Sequence, residues 1–160
     1  MNLAARVILH TNNEGTHMKV RELMTRSVEL TNPDETIQQA AKAMARIDAG
    51  ILPVGEGDRL VGMITDRDIA IRAVGEGKDP TKTRVRDVMS AEVRYCFEDD
   101  DVEDVAKNMA QLQVRRLPVV NKDKRLTGII SLADIARDQP QQTGPTLQGI
   151  SRPGGQHTQH

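Results

Sequence analysis

The chain has 160 residues, with 22 basic and 23 acidic side chains and a formal net charge of −1. That length suits one compact domain or two small ones, and the near-neutral charge builds in no pull toward nucleic acid or an anionic membrane. No apolar run approaches the roughly 20 residues needed to span a bilayer, and "LAARVIL" near the start lacks the cleavage pattern of a signal peptide, so the chain reads as soluble and cytoplasmic.

Residues 1–17 match nothing else in the chain and read as an N-terminal extension. From Met18 the chain is written twice, in copies of about 60 residues. "VRELMTRSV" returns as "VRDVMSAEV", and "TIQQAAKAMARI" returns as "DVEDVAKNMAQL". In Thr36–Ile47, Ile37, Ala40, Ala41, Met44 and Ile47 fall on one helical face, and Val102, Val105, Ala106, Met109 and Leu112 repeat the spacing. Acids precede each helix, Asp34 and Glu35 in copy one and Glu98 to Asp101 in copy two. They suit the positive end of the helix dipole.

Each helix is followed by a short apolar run containing "LPV", a polar turn, and a second run, "RLVGMIT" or "RLTGIIS". Two apolar runs joined by a short turn predict a hairpin. A last helix begins at Asp66 or Leu132. In copy one it continues through "IAIRAVGEG", where Gly75 and Gly77 end it. Each copy therefore reads strand–helix–strand–strand–helix, with "KDPTKTR" as the linker. The boundaries fall at 18–79 and 80–138. From Gln139 to His160 the chain is rich in Gln, Gly and Pro and reads as a disordered tail.

The residues missing from the body narrow the chemistry. His10, His17, His157 and His160 all lie in the terminal segments, so the body has no imidazole for base catalysis or metal binding. No catalytic residue and no metal site is expected. Asp66 and Asp68 lie close together, but no nucleophile–base pair accompanies them. The only aromatic residues are Tyr95 and Phe97, which argues against recognition of nucleic acid by base stacking. The single cysteine, Cys96, has no disulfide partner within the chain and reads as a small packed apolar residue.

The most informative repetition is "VGMITDRDIA" against "TGIISLADIA". In each, a strand ends in a hydroxyl residue, Thr65 or Ser131, and an Asp follows three residues later, Asp68 or Asp134. Ser/Thr-x-x-Asp is a way to cap a helix. The same residues could also face a ligand, the carboxylate accepting from the two hydroxyls of a ribose. Gly62 and Gly128 allow backbone or ligand to approach closely.

With "LPVG" before "LVGMITDRDI" and "LPVV" before "LTGIISLADI", residues 18–138 resemble a tandem pair of CBS domains, named for cystathionine β-synthase. "TDRDIAIRAVGEGKDP" is similar to small stand-alone bacterial CBS-pair proteins of the hypoxic-response type. The resemblance implies an α/β (α+β) fold of two repeats related by a pseudo-two-fold axis. It implies two clefts for an adenosine-containing ligand: AMP, ADP, ATP, NAD or S-adenosylmethionine. Such a ligand would be regulatory rather than a cofactor, and the module would have no catalysis of its own. By the same resemblance Asp68 and Asp134 hold the ribose, while Thr65, Arg67, Ser131, Arg115 and Arg116 lie near the phosphates. Arg26, Val28, Gly50, Ile51, Ala91 and Val93 line the adenine cleft.

The copies differ before "LPV", where one has Gly50 and Ile51 and the other Arg115 and Arg116. In this family a cleft can mix residues of both copies. The expectation is therefore that Asp68 faces the arginines and Asp134 faces Gly50 and Ile51. The partners implied are an adenine nucleotide, a second copy of the chain in a homodimer, and a regulated protein whose identity the sequence does not carry. The alternative is a ligand-independent interaction protein with vestigial clefts.

Overall fold

The computed structural model describes residues 17–153. Residues 1–16 of the N-terminal extension, His10, and the terminal "HTQH" with His157 and His160 lie outside the described residues. In chain order the elements are α1 (Val20–Leu23), α2 (Ile37–Ile47), β1 (Ile51–Glu56), β2 (Arg59–Thr65) and α3 (Asp66–Ile69), which continues as a π-helical turn, Ala70–Val74. A 3₁₀ turn, Val85–Asp87, leads to β3 (Cys96–Phe97), α4 (Val102–Leu112), β4 (Arg116–Val120), β5 (Leu126–Ser131), α5 (Leu132–Asp138) and α6 (Pro140–Ile150).

Helices and strands mix as expected, and both predicted hairpins form. β1 and β2 pair antiparallel with Ile51 opposite Thr65 and Leu52 opposite Ile64. β3, β4 and β5 form the second sheet in that order, β3 running parallel to β4. The strand that opens each copy is reduced. It is two residues long in β3, and in copy one it is a single parallel bridge from Thr31 to Val54.

α2 starts where its side chains can satisfy the first amides. The Gln39 amide donates to Thr36 Oγ1 at 3.2 Å, and the Thr36 amide donates to Gln39 Oε1 at 2.8 Å, a reciprocal cap. The helix buries Ile37, Ala40, Ala43 and Met44. The predicted face is thus shifted slightly: Ala41 is exposed, and Ile47 lies at the edge with 40% of its surface open. The acids before the helices also have local work. Glu35 accepts from the Thr31 hydroxyl at 2.6 Å, Asp34 pairs with Arg86, and Asp101 pairs with Lys19 at 2.7 Å.

The tail reading requires correction. Pro140–Ile150 is helical where composition predicts disorder. Its propensity is poor, with Gly144 and Pro145 inside it, and an isolated helix of this length would be marginal. Packing against α4 and α5 overrides propensity. Gly149 lies directly on Ala110 with no room for a side chain, and Thr146 is buried with its hydroxyl donated to the Gln142 carbonyl at 2.6 Å.

The described residues divide into two compact units, one of residues 28–93 with 124–126, the other of residues 17–27, 94–123 and 127–153. These units do not follow the boundaries at 18–79 and 80–138, because the opening stretch of each copy packs with the hairpin of the other copy. In unit one Met63 and Ser90 exchange backbone hydrogen bonds at 3.0 and 2.8 Å. In unit two Thr25 and Ile129 do the same at 2.8 and 2.9 Å. Each unit has its own core. Ile37, Met44, Leu52, Val54, Ile64, Val85 and Val88 fill the first, and Val20, Met24, Val105, Met109, Leu117, Val119, Ile130 and Ile135 fill the second.

Candidate functional site

Each unit presents one turn in which a strand ends in a hydroxyl residue and a helix begins. Thr65 has extended geometry, with φ −116° and ψ 160°, and Ser131 repeats it with φ −119° and ψ 160°. The repeated phrase therefore builds the same backbone twice.

At the first turn the Thr65 amide donates to Asp68 Oδ2 at 2.9 Å and the Asp68 amide donates to Thr65 Oγ1 at 3.0 Å. At the second the Ser131 amide donates to Asp134 Oδ2 at 2.8 Å and the Asp134 amide donates to Ser131 Oγ at 3.1 Å. Both are complete capping boxes. The aspartates differ in what remains free. The Asp134 side chain is 8% exposed, also accepts from the Ser131 hydroxyl at 2.8 Å, and pairs with Arg137. The Asp68 side chain is 18% exposed, and its second oxygen has Arg72 at 3.8 Å. A carboxylate accepts about four hydrogen bonds, so Asp68 keeps more capacity for an incoming hydroxyl.

The strand before each turn is joined to it by backbone. The Asp66 amide donates to the Gly50 carbonyl and the Leu132 amide to the Arg115 carbonyl, both at 2.9 Å. The backbone of Gly50 therefore adjoins that of Asp66, and the backbone of Arg115 adjoins that of Leu132. The reason is local: the "LPV" strand pairs with the strand of its own hairpin. Arg67 is exposed on the first turn, its amide bound to Asp66 Oδ1 at 2.7 Å.

The remaining predicted residues are split. Ala91 is exposed one residue beyond Ser90, next to the first turn's strand, and Val28 in the same unit is half-buried. Val93 is 2% exposed, so its side chain is packed inside rather than open to a cleft. Arg26 is exposed in unit two and donates to the Arg21 carbonyl at 3.2 Å.

Sequence reasoning missed the partners of the two glycines. A Cβ on Gly62 would meet Met89 Sδ at 2.7 Å and the Ser90 carbonyl at 2.9 Å. A Cβ on Gly128 would meet Met24 Sδ at 2.7 Å and the Thr25 carbonyl at 2.8 Å. The repeated pairs Met24–Thr25 and Met89–Ser90 were the signal. The glycines admit protein backbone here. Arg72 and Arg137, one turn beyond the aspartates, were also missed.

Cys96 is buried in β3 beside β4, its thiol 3.8 Å from the Pro118 carbonyl. Burial, helped by the Asp100 charge, pushes its pKa up from the ordinary 9.0. The sign follows from linkage. The unfolded chain ionises this thiol near its ordinary value and the folded protein does not, so its contribution to stability is present below about pH 9 and declines as pH rises further. The native protein should accordingly resist a thiolate-directed reagent at pH 8. Labelling at the rate of a free thiol would show that Cys96 is accessible.

Among the described residues no group of three or more His, Cys, Asp and Glu side chains is placed to hold a metal ion. No described helix is long and apolar enough to cross a membrane. A cavity of about 360 Å³ in unit two has His17, Glu22, Glu103 and Gln139 among its lining residues and includes none of the predicted site residues.

Comparison with known proteins agrees with the duplicated architecture. A CBS domain family model matches residues 20–75 and again residues 85–140. The chain belongs to the CBS domain family. It is 41% identical over 134 residues to the CBS domain-containing protein YhcV of Bacillus subtilis, covering 82% of this chain and 94% of YhcV. It is 37% identical over 122 residues to Hypoxic response protein 1 of Mycobacterium tuberculosis, covering 76% of this chain and 85% of that protein. A crystal structure of Hypoxic Response Protein I, described with two coordinated zinc ions, matches with TM-score 0.68 at 36% identity, covering 75% of this chain and 98% of that one. The CBS domain pair of protein MJ0100, solved in complex with 5′-methylthioadenosine and S-adenosylmethionine, matches with TM-score 0.66 at 29% identity over 76% of this chain and 94% of that one. In this setting Thr65–Asp68 and Ser131–Asp134 are corresponding turns of two CBS repeats.

Proposed function

We propose that the protein is a regulatory module that binds adenosine-containing ligands at its Thr65–Asp68 and Ser131–Asp134 turns and catalyses no reaction itself. The observation that carries this reading is the duplicated turn, with a strand, a hydroxyl residue and a carboxylate held in one geometry in both CBS repeats. The MJ0100 pair, with its adenosine ligands, supports the ligand class. Asp68 and Asp134 would accept from the ribose hydroxyls, Thr65 and Ser131 would face the 5′ substituent, and Gly50, Ile51 and Ala91 would flank the adenine in unit one. AMP, ADP, ATP, NAD and S-adenosylmethionine are the candidate ligands, each a regulatory ligand rather than a cofactor. The module would act in the cytoplasm as a homodimer and pass its state to a regulated protein.

With no aromatic ring among the predicted site residues for adenine to stack on, the affinity should be modest, near micromolar, or about 8 kcal/mol. A ligand at 100 times its dissociation constant should add about 2.7 kcal/mol. For a chain of this size that raises the melting temperature by roughly 5 °C or more. Thermal melts with AMP, ADP, ATP, NAD, S-adenosylmethionine and 5′-methylthioadenosine check this, and native mass spectrometry of the freshly purified protein reports oligomer and retained ligand together. Asp68→Asn should abolish part of the shift.

One observation favours a second reading. Both aspartates already complete capping boxes, and Asp134 is nearly saturated by Ser131 and Arg137. A melting temperature unmoved by every ligand in the panel would make the protein a ligand-independent interaction module.

A further inference from the structure

The two capping aspartates hold their arginines differently. Both use Oδ2 for the cap, which accepts from the Thr65 amide at 2.9 Å and from the Ser131 amide at 2.8 Å. On Asp134 the other oxygen, Oδ1, is taken by Arg137 on the same helix. On Asp68 the corresponding oxygen has Arg72 Nη1 at 3.8 Å, beyond hydrogen-bond reach. Arg72 is held off because that nitrogen donates to the Val88 carbonyl at 2.9 Å and reaches the Met89 carbonyl at 3.4 Å. The copies explain the contrast. Aligned on the turns, Ile71 stands where copy two has Arg137, and Arg72 stands where copy two has Asp138. Both spacings bring a cation onto the face of the carboxylate, but Arg72 has backbone acceptors that compete for it. Arg137 is 72% exposed, so its head can swing into water without unpacking the core.

We propose that Arg137 is a tethered competitor for the ribose at the Ser131–Asp134 turn, and that the Thr65–Asp68 turn, with Ile71 in its place, has none and fills first. This rests on the reading of both aspartates as ribose acceptors. A ribose hydroxyl must find a free lone pair on the carboxylate, and Asp134 Oδ2 already accepts from the Ser131 amide and hydroxyl. Arg137 therefore has to release Oδ1 before the diol can bind there. The competitor belongs to the chain, so raising the ligand concentration does not dilute it. Ion pairs with an exposed partner are weak, so the penalty is modest. It separates the two sites in concentration without closing the second.

The probe is 5′-methylthioadenosine, which carries no phosphate, so removing Arg137 takes away no attraction to a charge on the ligand. Calorimetric titration of the full chain in the Asp68→Asn background reads the second turn. There Arg137→Gln should tighten methylthioadenosine by about 2- to 5-fold, as expected for release of an ion pair with one exposed partner. Arg137→Lys keeps a cation at the position and should bind more weakly than Arg137→Gln. A side chain with a merely structural role would give equal or weaker binding when cut back, so a gain is the decisive sign. In the opposite direction, Ile71→Arg in an otherwise wild-type chain installs the tether at the first turn. Ile71 is 52% exposed, and the change should weaken the tighter site by a similar factor. A melt of each variant checks the fold. Unchanged or weaker binding in Arg137→Gln, or full wild-type affinity in Ile71→Arg, overturns the competition while leaving both turns as adenosine sites. Absence of binding to the wild type overturns the competition and the reading beneath it together.

Discussion

Ile135→Ala is expected to destabilise the protein by about 2–5 kcal/mol, the usual range for emptying a buried isoleucine site. Ile135 has no exposed surface and packs in the core of unit two with Val20, Met24 and Ile130. It also follows Asp134 directly, so the residue that anchors α5 sits beside the carboxylate that caps it. Its counterpart Ile69 is only half-buried at the edge of the first core. Ile69→Ala should cost less, about 1–2 kcal/mol, in proportion to the apolar area it covers. Urea unfolding followed by far-ultraviolet circular dichroism measures both, since the chain has no tryptophan to report. Equal losses at the two positions would show that the two turns are anchored alike, contrary to their burial.

Gly128→Ala is the second large effect. The added methyl would stand 2.7 Å from Met24 Sδ and 2.8 Å from the Thr25 carbonyl. Thr25 cannot retreat without giving up its two hydrogen bonds to Ile129. Overpacking typically costs about 1–3 kcal/mol, and a lost hydrogen bond adds about 1 kcal/mol. The total should therefore reach about 2–4 kcal/mol, with Gly62→Ala similar because Met89 and Ser90 surround it in the same way. Shortening the thioether should not rescue it: Met24→Ala in the Gly128→Ala background leaves the carbonyl contact in place and empties a core site besides. A Gly128→Ala protein that melts like the wild type would show that the opening stretch does not pack on β5. Both glycine variants would also displace the strand that leads into the proposed adenosine-binding turn, so on that proposal a loss of ligand response should accompany the loss of stability.

Much was legible in the sequence because the chain states it twice. The spacing of Ile37, Ala40 and Met44, echoed by Val102, Val105 and Met109, determined two amphipathic helices, and the pairs of apolar runs determined the hairpins. Both follow from local periodicity, which each segment carries without reference to the rest of the chain. Thr65–Asp68 and Ser131–Asp134 were legible as caps for the same reason, since a capping box spans four consecutive residues.

Only the tertiary structure decided what those elements touch. Composition marks the segment after Gln139 as disordered, and Pro140–Ile150 is helical because Ala110 and α5 give it a surface. Gly62 and Gly128 looked able to admit backbone or a ligand, and it is the Met89–Ser90 and Met24–Thr25 segments, far along the chain, that approach them. The contrast between Gly50–Ile51 and Arg115–Arg116 could be read from the copies. Arg115 shares a turn with Leu132 and Gly50 shares one with Asp66 because backbone hydrogen bonds join each strand to its own hairpin partner. Periodicity and capping are encoded within a few residues, whereas contacts between distant segments arise only when the chain closes on itself. The caps of the two turns were written locally, and the segments that pack on Gly62 and Gly128 were set by that closure.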